Sequence, residues 1–305
     1  MEPMALLTTL DQNYVPQLQV LLTSLAVNNP GEAVRLYLLH SAIPEERLAA
    51  VRRQCEAYGY DFCPIRVEDS LFQGAPVTRQ YPKEMYYRLL APCLLPPSAQ
   101  RVLYLDPDTL LINPIRPLWE TDLKGYLFAA AAHTGKTELA NNINQLRLGI
   151  EHSYYNSGVI LMDLEAGRRE IQPQALFRYV SLHRKELVLP DQDVLNAMFS
   201  GRILPLEDVL WNYDARNYSS YLLLSGGTCD LKWVMENTAI LHFCGKEKPW
   251  KAKYVHRFGI LYQHYAQLTR RTCAACASSG AMPPSGPISI PISRAPGAIA
   301  FRPLP

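Results

Sequence analysis

Asp106-Pro107-Asp108 places two carboxylates two residues apart at the end of the apolar run Arg101–Leu105. In extended chain, residues so spaced project to one side, so both acids can face a single point. Pro107 biases Asp106 to extended geometry and fixes its own φ, which stiffens the pair. Two hard oxygen donors at a strand end suit a divalent cation held jointly with phosphate oxygens. The alternative is a solvated turn, for which Asp and Pro are ordinary residues. A calcium-binding EF-hand is excluded, because the loop runs into Leu110-Leu111 and lacks the required Gly and terminal Glu.

A second cluster lies far down the chain, in His242-Phe243-Cys244-Gly245-Lys246-Glu247-Lys248-Pro249-Trp250 after the apolar stretch Thr238–Leu241. Gly245 lets backbone approach a ligand, and Lys246 and Lys248 can meet phosphate charge. An imidazole added to two carboxylates, with diphosphate oxygens completing the shell, suits Mn²⁺, with Mg²⁺ as the substitute. Two further segments carry polar groups. Tyr155-Asn156-Ser157-Gly158 can set an amide against sugar hydroxyls, or be a plain turn. Pro190-Asp191-Gln192-Asp193 opens a helix, where either acid can cap the helix or face a ligand.

These residues need a scaffold, and the first half of the chain supplies alternating strand and helix signals. Ala5–Thr9, Val34–Leu39, Phe62–Val67 and Arg101–Leu105 read as strands. Leu18, Leu21, Leu22 and Leu25 recur at helical spacing up to the Asn28-Asn29-Pro30-Gly31 stop, and Glu45–Tyr58 and Met85–Ala91 also read as helices. Beyond the middle, Val159–Met162 reads as a strand and Pro173–Lys185 and Asp191–Ser200 as helices. Tyr213–Gly227, rich in Tyr and Ser, reads as a loop with a few short pieces. Such alternation predicts an α/β sheet with helices on both faces.

The 305 residues form a single main domain over 1–272, followed by a Pro/Ala/Ser-rich tail, 273–305, expected to be disordered. A net charge of +2 argues against bulk nucleic-acid binding. The N-terminal apolar run lacks a basic flank and is broken at Asp11, unlike a signal peptide. No stretch has the apolar length of a membrane span. Seven scattered cysteines suit reduced thiols better than a disulfide framework, so the expected location is the cytoplasm.

Six segments occur in order: Asp11-x-Asn13-Tyr14, Tyr87-Arg88-Leu89, Leu105-Asp106-x-Asp108, Asn156-Ser157-Gly158, Asp191-Gln192-Asp193 and His242-x-x-Gly245-x-x-Lys248-Pro249-Trp250. Together they resemble the retaining family 8 glycosyltransferases, especially bacterial lipopolysaccharide galactosyl- and glucosyltransferases, over about Met4–Tyr265. The resemblance implies a GT-A fold, a Rossmann-like mixed sheet, and a metal-bound UDP-sugar donor with a glycan or glycolipid acceptor. It implies Asp106, Asp108 and His242 as metal ligands. Asp11 and Asn13 would meet the uracil edge and Tyr14 its face, while Gly245 and Lys248 would hold the diphosphate. Arg88, Asn156, Asp191 and Gln192 would bind the donor sugar, with Gln192 near the anomeric carbon. Asp191, Gln192 and Lys248 are thus the residues expected closest to the chemistry.

The chain departs from the family in places. Pro107 removes a backbone N–H from the middle of the metal motif, and Ser157 stands where some members carry Ala. The Pro-rich tail replaces a basic, aromatic membrane-docking tail. Within Lys246–Arg271, basic residues interleave with Trp250, Tyr254, Phe258, Tyr262 and Tyr265, which suits peripheral membrane contact; a solvated basic helix is the alternative. Val77–Tyr81 and Tyr213–Gly227 are expected to line the acceptor site. Two rival functions are a nucleotidyltransferase and a non-catalytic sugar-nucleotide-binding protein. The first lacks a Gly-rich nucleotide loop near the N-terminus, and Gly135-Lys136-Thr137 is no P-loop because Ala130 stands at the first Gly position.

Overall fold

The structure is a computed structural model that describes residues 2–68, 72, 84–134 and 136–279. Among the described residues, ten strands form two sheets. The main sheet uses β1 (Met4–Thr9), β2 (Val34–His40), β3 (Asp61–Arg66), β4 (Arg101–Leu105), β6 (Phe128–Ala131), β7 (Val159–Asp163) and β8 (Ile203–Leu206). Their order is β3-β2-β1-β4-β7-β6-β8. The first four are mutually parallel, β7 is antiparallel to both β4 and β6, and β8 is parallel to β6. The small sheet sets β10 (Ile240–His242) between β5 (Thr109–Leu111) and β9 (Tyr213–Asp214).

Strand alternation sorts side chains onto the two faces of the main sheet. Met4 and Leu6 of β1 and Leu103 and Leu105 of β4 pack with Leu18, Leu21, Leu22 and Leu25 of the Val15–Asn28 helix and with Leu48 and Val51 of the Glu45–Ala57 helix. Leu7, Val102 and Tyr104 point the other way, onto Leu176, Val180, Val194 and Leu195 of the Pro173–Leu182 and Pro190–Met198 helices. Each leucine fully removed from water contributes about 1.5–3 kcal/mol as an upper bound.

Three sequence expectations are revised. The expected Met85–Ala91 helix is split into Glu84–Tyr87 and Ala91–Leu94. Pro92 has no N–H, and its ring would clash with the carbonyl of Arg88 in a continuous helix. The aromatics of Lys246–Arg271 face inward: Phe258, Tyr262 and Tyr265 are buried with Leu110, Tyr213 and Phe243, and Trp250 and Tyr254 pack against them. They belong to the third core, so Phe258, Tyr262 and Tyr265 are not available to a lipid surface, while the basic residues share the outside with Val255 and Ile260. Among the described residues no helix is long and apolar enough to cross a membrane.

The last described helix, Gly259–Ser279, runs past Cys273, the expected start of the tail. Thr272-Cys273-Ala274-Ala275 sustains it, because alanine has the highest helix propensity. This helix lies on Val15–Asn28, where Asn28 Nδ2 donates to Tyr265 Oη at 2.8 Å and Thr269 Oγ1 to Thr23 Oγ1 at 2.8 Å. Residues 280–305 and the Val77–Tyr81 segment lie outside the described residues. Tyr213–Gly227 contains β9 and a Tyr218–Leu224 helix, with Tyr213, Tyr218 and Tyr221 buried.

Candidate active site

In open α/β sheets the ligand edge is where parallel strands end. The Asp11–Tyr14 turn follows β1 and Asp106 follows β4, two strands paired side by side. Three-residue β5 then turns Asp108 under β10, since Thr109 pairs with His242. One ligand atom each of Asp106, Asp108 and His242 falls within 4.8 Å of the others. His242 Nε2 stands 3.4 Å from Asp108 Oδ1 and 3.8 Å from Asp106 Oδ2. A cavity of about 370 Å³ opens at the opposite end of the sheet, among Arg35, Tyr37, Arg101 and Asp163, and contains none of these residues.

Each ligand candidate is held from behind. Asp106 Oδ1 accepts from Tyr104 Oη at 2.6 Å and pairs with Arg88 Nη2 at 3.0 Å. Lys248 Nζ donates to Asp108 Oδ2 and to the Phe243 carbonyl. His242 Nδ1 meets Asn212 Oδ1 at 2.8 Å, while Asn212 Nδ2 donates to Asn156 Oδ1 at 3.0 Å. An amide oxygen only accepts, so Nδ1 carries a proton and Nε2 is the nitrogen aimed at the carboxylates.

The charges explain the protonation states. Burial alone would raise the Asp108 carboxyl, but His242 and Lys248 overturn it and hold Asp108 below the usual carboxylate range. Burial works against charge on His242 too, yet Cys244 and Asp108 raise its imidazole well above the ordinary histidine value. The carboxylates are therefore balanced by protonated His242 and by Lys248. These are the positive charges that a divalent ion would displace, and the site fits such an ion on that ground.

A second network continues from Asp106. Arg88 bridges to Asp191 Oδ2 at 3.1 Å, donates to the Ser157 carbonyl at 2.8 Å and lies 4.5 Å over the Tyr104 ring. Ser157 Oγ donates to Asp191 Oδ2 at 3.1 Å. Gln192 Oε1 accepts from Asn156 Nδ2 at 3.0 Å and from the Ser157 amide at 3.4 Å. Asp193 turns away, taking Arg147, Tyr154 and the Val188 and Leu189 amides in the interior. Asp191 and Gln192 thus share the site, and Asp193 is a structural acid.

Tyr14 and Gly245 complete the rim. Asp11 caps its own turn, accepting from the Asn13 amide at 2.7 Å and from Asn13 Nδ2 at 3.3 Å. Tyr14 stands edge-on to Trp250 with centroids 6.0 Å apart, and Lys248 Nζ lies 5.8 Å from the Trp250 ring centre. Gly245 has φ +81° and packs on Arg216, whose Nη1 would be 2.4 Å from any Cβ there. Arg216 is itself clamped by Asp214 at 2.6 and 2.9 Å.

The structure adds residues that sequence reasoning passed over as ligand supports. Asn212 touches the ligand set only through space and no spacing in the chain signals it, whereas Tyr104 stands two positions before Asp106, a spacing that puts both on one side of the strand. Gly158 touches the set sterically: a Cβ would lie 2.2 Å from His242 Cε1 and 2.8 Å from Asp106 Oδ2. Gly158→Ala is expected to cost about 1–3 kcal/mol by overpacking. In that variant the added methyl would push His242 off its bond to Asn212, and Mn²⁺ affinity is expected to fall by about 10- to 100-fold. Titration calorimetry with Mn²⁺ checks this, and wild-type affinity in the alanine variant would refute it.

Comparison with known proteins shows the family and the fold. Residues 5–254 match the family described as Glycosyl transferase family 8. The chain belongs to glycosyltransferase family 8. General stress protein A of Bacillus subtilis (strain 168) is 30% identical over 277 residues, spanning 88% of this chain and 95% of that protein. The lipopolysaccharide 1,2-glucosyltransferase of Escherichia coli (strain K12) is 26% identical over 249 residues, 79% of this chain and 70% of the relative. Among solved structures, an active-site mutant of LgtC superposes with a TM-score of 0.75 at 26% identity, covering 87% of this chain and 96% of that one. LgtC with donor and acceptor sugar analogs, called a galactosyltransferase, gives a TM-score of 0.73 at 24% identity over the same shares. This family 8 glycosyltransferase has the GT-A arrangement expected from its motifs.

Proposed function

We propose that this family 8 enzyme transfers a hexose, glucose or galactose, from a UDP-sugar to a hydroxyl of a glycan or glycolipid, with retention and with Mn²⁺. The observation that carries the reading is the Asp106–Asp108–His242 set with Lys248 beside it, continuous through Arg88 with Asp191. The hexose and the acceptor class rest on the likeness to a lipopolysaccharide glucosyltransferase and a galactosyltransferase.

Asp106, Asp108 and His242 would hold the ion, which when bound supplies Lewis-acid stabilisation of the leaving diphosphate. Asp11 and Asn13 would meet the uracil edge and Tyr14 its face. Lys248, relieved of Asp108, would donate to diphosphate oxygens, and the Gly245 backbone would let them approach. Charge aimed at the leaving group is usually a dominant catalytic contribution.

Arg88, Asn156, Asp191 and Gln192 would bind the sugar. Asp191 is neutralised by Arg88 and accepts from Ser157, so it orients hydroxyls rather than attacking carbon. Gln192 has its oxygen engaged by Asn156 and Ser157 and its side chain hydrogen-bonded to Tyr154, so the amide is fixed in place beside the proposed sugar site. The Gln192 role is positional, and no side chain is assigned as a catalytic base. In this reading the leaving phosphate takes the acceptor proton as the hydroxyl attacks from the same face.

The test is nucleotide release from UDP-, GDP- and ADP-sugars with Mn²⁺, with and without chelator. The expected result is chelator-sensitive UDP release from one UDP-hexose. Release that ignores chelator, or that prefers an ADP- or GDP-sugar, overturns the proposal.

A further inference from the structure

His242 also belongs to a second buried cluster. One donor atom each of His133, His242 and Cys244 lies within 4.8 Å of the others. Their exposures are 5, 4 and 8%. His133 reaches the cluster from the segment after β6, its ring centre 6.2 Å from that of His242. His133 Nε2 faces the Asn212 carbonyl at 2.9 Å. A carbonyl only accepts, so Nε2 bears the proton and Nδ1 keeps a free lone pair. Cys244 is a free thiol that follows His242 by two positions.

The two groups differ in chemistry. Asp106 and Asp108 give His242 a hard, oxygen-rich set suited to Mn²⁺ or Mg²⁺, whereas His133 and Cys244 give it nitrogen and sulfur. Thiolate and imidazole favour zinc-like ions over manganese. We propose that His133, His242 and Cys244 form a site for a borderline-soft divalent ion, typified by Zn²⁺, whose occupation withdraws His242 from Asp106 and Asp108. The regulatory consequence rests on the reading of Asp106, Asp108 and His242 as the sugar-nucleotide metal site.

The coordination balances simply. The Cys244 thiol releases its proton to solvent, its sulfur electron pair forms the bond to the ion, and nothing is oxidised or reduced. Bonds of about 2.0–2.3 Å place neighbouring ligands roughly 3.5 Å apart, so the donor atoms need to close by about 1 Å. One imidazole nitrogen cannot hold two ions. Bridging through both nitrogens would break the bond to Asn212. Hard and soft ions therefore compete for one side chain, and the soft ion switches transfer off.

Co²⁺ reports thiolate ligation through a near-ultraviolet charge-transfer band and serves as the probe on the full chain. The band is expected in the wild type and in Asp108→Asn, lost in Cys244→Ser and weakened in His133→Asn. In parallel, Zn²⁺ is titrated against Mn²⁺-supported turnover, each variant scaled to its own activity. The Zn²⁺ inhibition constant is expected to rise at least about tenfold in Cys244→Ser and in His133→Asn. Absence of the band, or equal Zn²⁺ inhibition in wild type and both variants, overturns the proposal. A band in a wild type that shows no Mn²⁺-supported turnover would instead sink the catalytic reading and keep the soft site.

Discussion

Asp108→Ala is expected to lower metal-supported nucleotide release by about a thousandfold or more, the equivalent of roughly 4 kcal/mol of lost charge stabilisation. Asp108 sits between His242 and Lys248, so its loss removes a proposed ion ligand and the counter-charge of both. Asp106→Ala is expected to act similarly, and it also frees Tyr104 and Arg88. Calorimetry with Mn²⁺ and the chelator assay should fall together, while circular dichroism shows a folded protein. Wild-type turnover in either variant would remove the metal set from the mechanism. The stability effect has a definite sign. Asp108 is depressed in the folded state, so its stabilisation is present above the ordinary carboxylate pKa of about 3.9 and disappears as pH falls through the lower folded value. The stability gap between wild type and Asp108→Asn should therefore narrow on acidification, and also when the pH rises through the raised His242 value and the imidazolium paired with Asp108 loses its charge.

Arg88→Met is expected to destabilise the fold by about 3–5 kcal/mol, the cost of leaving a buried charge uncompensated. Its guanidinium is the only cation that the described ion pairs place on both Asp106 and Asp191, and its side chain is 13% exposed. Burial opposes its charge, but those acids hold it firmly protonated. Arg88→Lys should not rescue, because a point charge cannot bridge both acids and lie over the Tyr104 ring. Adding Asp191→Asn to Arg88→Met should recover part of the stability, since it removes one of the stranded charges. Thermal unfolding reads the effect, and a fall in Tm below about 2 °C for Arg88→Met would show that solvent already screens the pair.

Strands β1–β4 and β7 of the main sheet were legible because they are short apolar runs between turn residues, whereas β6 (Phe128–Ala131) and β8 (Ile203–Leu206), four residues each, were not read. The Val15–Asn28 helix was legible from the spacing of Leu18, Leu21, Leu22 and Leu25. Proximity of Asp106 and Asp108 followed from their spacing and the stiffness of Pro107. What could not be read there depends on contacts through space. Strands β5, β9 and β10 are too short to show a period, yet they bring His242 to Asp108. Asn212, placed between Trp211 and Tyr213, has no local mark of its function. The aromatics of 250–265 looked amphipathic beside their lysines, and only the packing of Phe258, Tyr262 and Tyr265 on Tyr213 and Phe243 decides which side is wet. Ala274 and Ala275 read as tail composition because the same residue serves both low-complexity chain and helix.

Lys248 meets Asp108 across 140 positions of chain, and the Gly259–Ser279 helix closes over the first helix later still. A polypeptide leaves the ribosome N-terminus first, and its domains fold as they are completed. The β1–β4 half can collapse early on local parallel pairing, but its two acids then wait without imidazole or ammonium. A nascent or prematurely terminated chain that stops before His242 therefore carries Asp106 and Asp108 without the third member of the proposed ion site. Synthesis itself delays competence: the proposed ion site can be assembled only after nearly the whole domain has emerged.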